Sequence, residues 1–297
     1  MIKQVSADLA PLVLIFSART LRSMTRKKAP AKPGRIKTRD RQIESVAQFV
    51  EELYSVQLSQ WLRRNKVDLV FRGQPADYPL IPKVGRKKIR GASFAKIESL
   101  LFQEFLRTST AFKTFAADNE WDPLAMAQHH GLPTRLLDWT TSGLAALWFA
   151  VRRPYKPFEV EDDYERVEPF SRHGYGVVWI LCPNLDDFLP NPPVSSPFDN
   201  QSRTLIYRPQ MTSPRIVSQS GVFTVHKILK EGELFGRLER NPAYRNKLVK
   251  FSFSAQRFPE LRKDLGLLGV TPALMFPDLD GLCEHLEGRY IWADDEP

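Results

Sequence analysis

Cysteine is scarce in this 297-residue chain. Cys182 and Cys283 are the two present, too few for a disulfide framework, and neither belongs to a CxxC pair that would suggest a structural zinc site. They read as reduced thiols of an intracellular, cytoplasmic protein. Long apolar runs are missing: none approaches the roughly 20 residues that span a bilayer, so no membrane partner is expected. Glycine-rich phosphate loops are missing as well. Neither GxGxxG nor GxxxxGK(S/T) occurs, which leaves no sign of a Rossmann dinucleotide site or a P-loop.

The body of the chain also lacks a net charge. Residues 1–42 hold eleven Lys/Arg against Asp8 and Asp40, a surplus of nine that equals the formal charge of the whole chain. Residues 43–297 are balanced, so the high isoelectric point belongs to a tail, and a uniformly basic nucleic-acid-binding domain is disfavoured. Within the tail, the apolar stretch Leu9–Phe16 precedes most of the positive charge, the reverse of a secretory signal. The expectation is a disordered basic extension over 1–42, or a true start at Met24. A basic arm that touches nucleic acid through its phosphates is the alternative.

From residue 43 a single mixed domain, 43–297, is expected. Ser45 with Gln48 suggests a capping box ahead of Val46, Phe49, Val50, Leu53 and Tyr54 at helical spacing, with the helix ending near Asn65. Val67–Phe71 predicts a buried strand running into a turn at Arg72-Gly73-Gln74-Pro75. Phe94–Phe115 predicts a long amphipathic helix. Asp122-Pro123 reads as N-cap and first turn of a short helix stopped by Gly131. Ser142 caps a helix to Arg152 that is apolar nearly all round, hence central. Residues 154–172 read as a surface insertion and 183–214 as a long loop. Strands are predicted at Tyr175–Cys182, Val222–Val225 and Leu248–Phe253, and helices near 255–268 and 278–288. Helices and short strands in this order favour α+β, a small sheet flanked by helices.

Two segments concentrate chemistry. In the first, Arg72 follows an apolar strand and stands beside Gly73 and Gln74. Its forked donors suit phosphate or carboxylate, and Gly73 would let a ligand approach the backbone; equally, Arg72 could fix a carboxylate of its own fold, such as Asp138. The second runs from Met126 to Ser142 and holds His129, His130, Arg135, Asp138, Trp139 and Thr140 between apolar residues. Adjacent histidines on a helix diverge by about 100°, so one is expected to face a pocket and the other solvent or core, and no metal site is implied. Gln219-Ser220-Gly221 before Val222 reads as a bulged strand start presenting N–H groups to an anion, or as a plain tight turn. Asp278 reads as a helix N-cap; a magnesium site built with Asp280 lacks further acids.

Phe71-Arg72-Gly73, the segment His129–Thr140, Gln219–Phe223 and Phe276–Gly281 together resemble the FRG domain family, named for its Phe-Arg-Gly motif, across about residues 67–285. A second resemblance is to the ADP-ribosyltransferase core. There a strand ending in Arg-Gly is followed by Thr/Ser leading into an Ala-rich helix, here Trp139–Ala150. This likeness implies NAD as co-substrate, held by Arg72 with Gly73, Gln74, Arg135 and Gly221 nearby. Thr140 or Ser142 would brace the nicotinamide half, and Trp139 would line its pocket. Such transferases carry a late glutamate on a strand; here Gln219 stands in that place, and glutamine cannot act as a general base. The base would then come from His129, His130, Asp138 or His226. Three readings follow: an NAD-consuming toxin or anti-phage effector with an antitoxin or operon partner, a non-catalytic nucleotide or nucleic-acid sensor, and a His-dependent hydrolase.

Overall fold

The computed structural model describes residues 40–55, 67–90, 93–112, 119–155, 174–191, 193–199, 203–210, 214–229, 234–291 and 293–295. Residues 1–39 lie outside these, and the described body begins at Asp40. The expectations for the basic extension before residue 40, for a helix end near Asn65 and for most of the 154–172 insertion also fall outside the described residues.

The body is built on one sheet. Its strands are β1 (Asp40–Ile43), β2 (Val70–Gln74), β3 (Leu136–Thr140), β4 (Tyr175–Leu181), β5 (Leu205–Tyr207), β6 (Gly221–Val225) and β9 (Leu248–Ser254), while β7 (Ile228–Leu229) and β8 (Leu234–Phe235) pair separately. The spatial order is β1-β9-β4-β2-β3-β6-β5. Every neighbouring pair is antiparallel except β1 and β9. The class is α+β as expected, but a seven-stranded sheet is not small.

The helices are α1 (Val46–Leu53), α2 (Lys83–Arg86), α3 (Phe94–Thr108), α4 (Trp121–His129), α5 (Gly143–Val151), α6 (Pro214–Gln219), α7 (Phe258–Leu267), α8 (Pro272–Met275) and α9 (Leu279–Tyr290). Capping explains several starts. The Ser45 hydroxyl accepts from Gln48 N at 3.1 Å, and the Gln48 side chain accepts from Glu44 N at 2.8 Å. Ser142 accepts from Ala145 N at 3.2 Å, and Asp278 accepts from Gly281 N at 2.9 Å. Each satisfies a donor that a helix start leaves open.

One face of the sheet carries Phe71, Val178, Ile180, Phe251 and Phe253, covered by α5 with Phe49 of α1 and Phe258, Leu261 and Leu265 of α7. Toward β3 and β6, α3 and α4 cover Leu136, Phe223 and Val225 with Phe102, Trp121 and Leu124. The opposite face buries Val70, Trp139, Val177, Trp179 and Val222 under Leu80, Leu238 and Tyr244. The apolar α5 is therefore central, as its composition predicts. It lies so close to the sheet that a Cβ on Gly73 would stand 1.8 Å from Ala146 O, and one on Gly176 2.5 Å from Ala150 O.

Several boundaries differ from the sequence expectation. Strand β2 runs on through Arg72 and Gly73 to Gln74 because both pair with β4, opposite Trp179 and Val178. Asp122 lies inside α4 and is no N-cap: its carboxylate accepts from Tyr207 Oη at 2.5 Å and Gln210 N at 3.0 Å. Asn119 takes over the start, its Oδ1 accepting from Trp121 N and Asp122 N. Residues 183–214 include β5, three residues held against β6. Residues 40–42, assigned above to the extension, belong to edge strand β1, which Arg41 also ties to Glu52.

Candidate functional site

The site begins where β2 and β3 part. Among the described residues their ladder holds one pair, Phe71 opposite Thr140. Continuing that register would set Gly73 opposite Asp138, but the strands diverge instead. Arg72 spans the opening: its Nη1 donates to Asp138 O at 2.7 Å, replacing a backbone rung with a side chain. A cavity of about 330 Å³ occupies the opening, and its lining comes from both faces of the sheet and from α4, α5 and α6.

Its charge is lopsided. Among the described residues Arg72, Lys83, Arg86, Arg152 and Arg215 line it, against one carboxylate, Asp138; Arg152 also pairs with Glu284 at 3.6 Å, outside the lining. Arg86 is buried and donates through Nε to Ile81 O at 2.8 Å. Arg152 and Arg215 both lie against Phe276, 5.3 and 4.1 Å from its ring centroid, a cation–π arrangement that holds two guanidinium groups beside one aromatic. Burial lowers the Arg215 pKa, opposed by Asp278, Asp138 and Asp280, and its Nε is buried without a hydrogen-bond partner among the described residues. A cluster of like charges around a cavity raises the local potential and favours an anion there. Phe71, Trp139 and Phe149 add apolar wall.

Asp138 is the exposed position of an otherwise buried strand. Its Oδ2 accepts from Gln128 Nε2 at 3.0 Å and lies 3.8 Å from Arg72 Nη1, so the carbonyl, not the carboxylate, anchors Arg72. Gln128 is itself oriented by Thr134, whose hydroxyl donates to its Oε1 at 2.7 Å. The histidines divide as their spacing predicts: His129 lines the cavity and His130 is exposed. Burial pulls His129 down to about 4, with Arg215 and His130 acting the same way against Asp138 and Asp278. It is neutral at pH 7 and weakly basic.

Thr140 reaches the cavity but spends its hydroxyl on the fold, donating to Gln219 O at 2.6 Å and accepting from Ser142 N at 2.9 Å. Gln219 lines the cavity from the end of helix α6, not from a strand, and donates to Met275 O at 2.9 Å. Gln219-Ser220-Gly221 is a tight helix-to-strand turn with Ser220 at φ 48, pinned by Thr141 N to Ser220 O at 3.0 Å. Gly73 borders the cavity, yet its missing side chain makes room for α5, so it admits a helix backbone rather than a ligand.

Other expected residues stand elsewhere. Arg135 is buried in a bidentate pair with Glu98, whose Oε1 accepts from Nε at 3.1 Å and whose Oε2 accepts from Nη2 at 2.7 Å. Gln74, Ser142 and Gly221 do not line the cavity; Gln74 is buried in the sheet, Ser142 caps α5, and Gly221 starts β6. The Trp139 indole donates to Thr224 Oγ1 at 3.0 Å. Thr224 Oγ1 also lies within hydrogen-bond distance of His226 Nε2, at 3.0 Å. His226 is fully buried there, outside the cavity lining, and pushed down to about 3 by desolvation. Among the described residues no three His, Cys, Asp or Glu converge as a metal group, and no helix is long and apolar enough to cross a membrane.

The cavity residues that sequence reasoning missed are Gln128, Lys83, Arg86, Phe149, Arg152 and Arg215. Arg215 stood four residues ahead of Gln219 and offered a signal; Lys83, Arg86 and Arg152 lie in separate segments that topology alone brings together. No curated protein and no solved structure matches the chain. The family model described as the FRG domain matches residues 67–158, the span that supplies β2, β3, α4 and α5 and with them most of the cavity wall. The chain thus contains an FRG domain, and the opening between its second and third strands lies inside it.

Proposed function

We propose that the chain binds a phosphorylated nucleotide, NAD among the ligands to be tested, in the cavity between β2 and β3. One observation carries this reading: among the described residues four arginines and a lysine line the cavity with one carboxylate, Asp138, in the lining, while Glu284, outside it, pairs with Arg152 at 3.6 Å. Guanidinium forks match phosphate oxygens and remain charged at any working pH, and the aromatic wall suits a base or nicotinamide ring. Among the described lining residues burial depresses His129 and Gln219 cannot take a proton, so Asp138 is the one candidate base left there, and binding is favoured over turnover. Isothermal titration of the full chain with ATP, ADP and NAD tests it: the wild type binds at least one, and Arg72→Ala or Arg215→Ala weakens that binding at least about tenfold, the loss of one charge-assisted contact. Absence of binding to all three refutes it.

ADP-ribosyl transfer is a second reading, favoured by Asp138, an acceptor beside Arg72 within the cavity. Transfer passes through a state with positive charge on the ribose, which a carboxylate stabilises. Nicotinamide release on incubation with NAD, lost in Asp138→Asn, supports it. If NAD is consumed, expression in cells drains the NAD pool and arrests growth, the form a toxin or phage-defence role would take; Arg72→Ala restores growth.

A further inference from the structure

The single acid in a cationic cavity needs a reason. As a counter-charge it weakens the attraction for phosphate, and it is not needed to anchor Arg72, which the Asp138 carbonyl holds at 2.7 Å while the carboxylate lies 3.8 Å away. The group is nevertheless carefully set. The Thr134 hydroxyl accepts from Leu136 N at 3.1 Å and gives its own proton to Gln128 Oε1. That turns the Gln128 amide N–H toward Asp138 Oδ2. One carboxylate oxygen is thus occupied, and the side chain stays 52 % exposed at the cavity.

We propose that Asp138, oriented by Gln128, accepts a hydrogen bond from a sugar hydroxyl of the bound nucleotide and so selects phosphorylated sugars over inorganic polyphosphate. A carboxylate can only accept, whereas phosphate oxygens offer only acceptors, so the two repel; a hydroxyl beside the phosphate is a donor that satisfies it. The inference rests on the nucleotide reading above and adds the part of the ligand that Asp138 recognises.

Asp138→Asn gives opposite signs for the two ligand classes. With Gln128 fixed by Thr134, the new amide offers its oxygen to Gln128 and turns its N–H₂ into the cavity. A sugar hydroxyl loses its charged acceptor, and a phosphate gains a donor and loses a repelling charge. Titration calorimetry of wild type and Asp138→Asn with ADP, 2′,3′-dideoxy-ADP and inorganic pyrophosphate reads this out. In the wild type, dideoxy-ADP binds about tenfold more weakly than ADP, the worth of a hydrogen bond to a charged group. In Asp138→Asn that difference vanishes, ADP weakens about tenfold, and pyrophosphate tightens. If Asp138→Asn tightens ADP and pyrophosphate alike, or if the wild type binds ADP and dideoxy-ADP equally, Asp138 is a counter-charge and the inference falls while the nucleotide reading stands. The dideoxy comparison uses the wild-type fold and needs no variant. If wild type binds none of ATP, ADP and NAD, the nucleotide reading itself is refuted and this inference falls with it.

Discussion

Replacing Gly73 by alanine tests the packing on which the site depends. An ideal Cβ there stands 1.8 Å from Ala146 O, 2.8 Å from Ala146 C and 2.9 Å from Ala150 N, all backbone atoms of α5 that no rotamer change can remove. Relief requires that β2 and α5 separate until those contacts reach ordinary van der Waals distance, at least 3.4 Å. The helix being displaced is the centre of the larger core, with Ala145, Ala146, Leu147, Trp148, Ala150 and Val151 all buried. Interiors are close-packed, and overpacking by one methyl costs about 1–3 kcal/mol where side chains can adjust. With backbone on both sides of the clash, Gly73→Ala is expected to cost at least about 3 kcal/mol, a large share of the roughly 5–15 kcal/mol that keeps a domain folded. Two controls bracket it. Gly131 has no atom within 4 Å but sits at φ 88, so alanine there costs about 1 kcal/mol through the backbone alone. Gly266, inside α7 with open space around it, gains up to about 1 kcal/mol as alanine. Urea denaturation followed by the fluorescence of the six tryptophans gives all three values. A loss below about 1 kcal/mol for Gly73→Ala would refute the close seating of α5 on β2.

Three further outcomes are expected. Glu98→Gln leaves the Arg135 charge buried without its carboxylate and should cost about 3–5 kcal/mol in the same denaturation assay; a cost under about 1 kcal/mol would mean that water reaches the pair. Stability should fall on acidification: His129 at about 4 and His226 at about 3 take up protons less readily folded than unfolded, where the value is 6.5. The contribution is complete above pH 6.5 and is lost as pH drops toward those values, about 2 kcal/mol at pH 5 from the fully buried His226 and less from the partly exposed His129. His226→Gln should flatten that slope, and an unchanged slope would deny the burial of His226. Arg72→Lys keeps the charge but not the fork that reaches the Asp138 carbonyl, so anion binding should fall in it nearly as far as in Arg72→Ala; full retention in calorimetry would show that charge alone suffices.

Local rules carried much of the fold. Ser45, Ser142 and Asp278 announce their helices because a cap is a short-range hydrogen bond, legible within four residues. Tyr175–Leu181 and Leu248–Ser254 announce strands through their apolar, β-branched and aromatic content. Asp122 misleads because a distant partner, Tyr207, outbids the local cap. β5 is invisible in a stretch rich in Pro, Asn and Ser, since three residues become a strand only when β6 lies beside them. The site shows the same division. Arg72, His129 and Asp138 cluster in two short motifs and could be singled out; Lys83, Arg86, Arg152 and Arg215 share nothing in sequence and meet only through the sheet order.

The lone Phe71–Thr140 pairing has a mechanical consequence. It leaves the sheet as two panels, β1-β9-β4-β2 and β3-β6-β5, stitched along a seam by one backbone rung and the Arg72 guanidinium. A guest that grips Arg72 from one panel and Asp138 from the other draws that seam shut. Backbone amides along β2 and β3 should then exchange with deuterium more slowly when the cavity is filled, while those at β4 and β9, zipped over seven residue pairs, stay as they were.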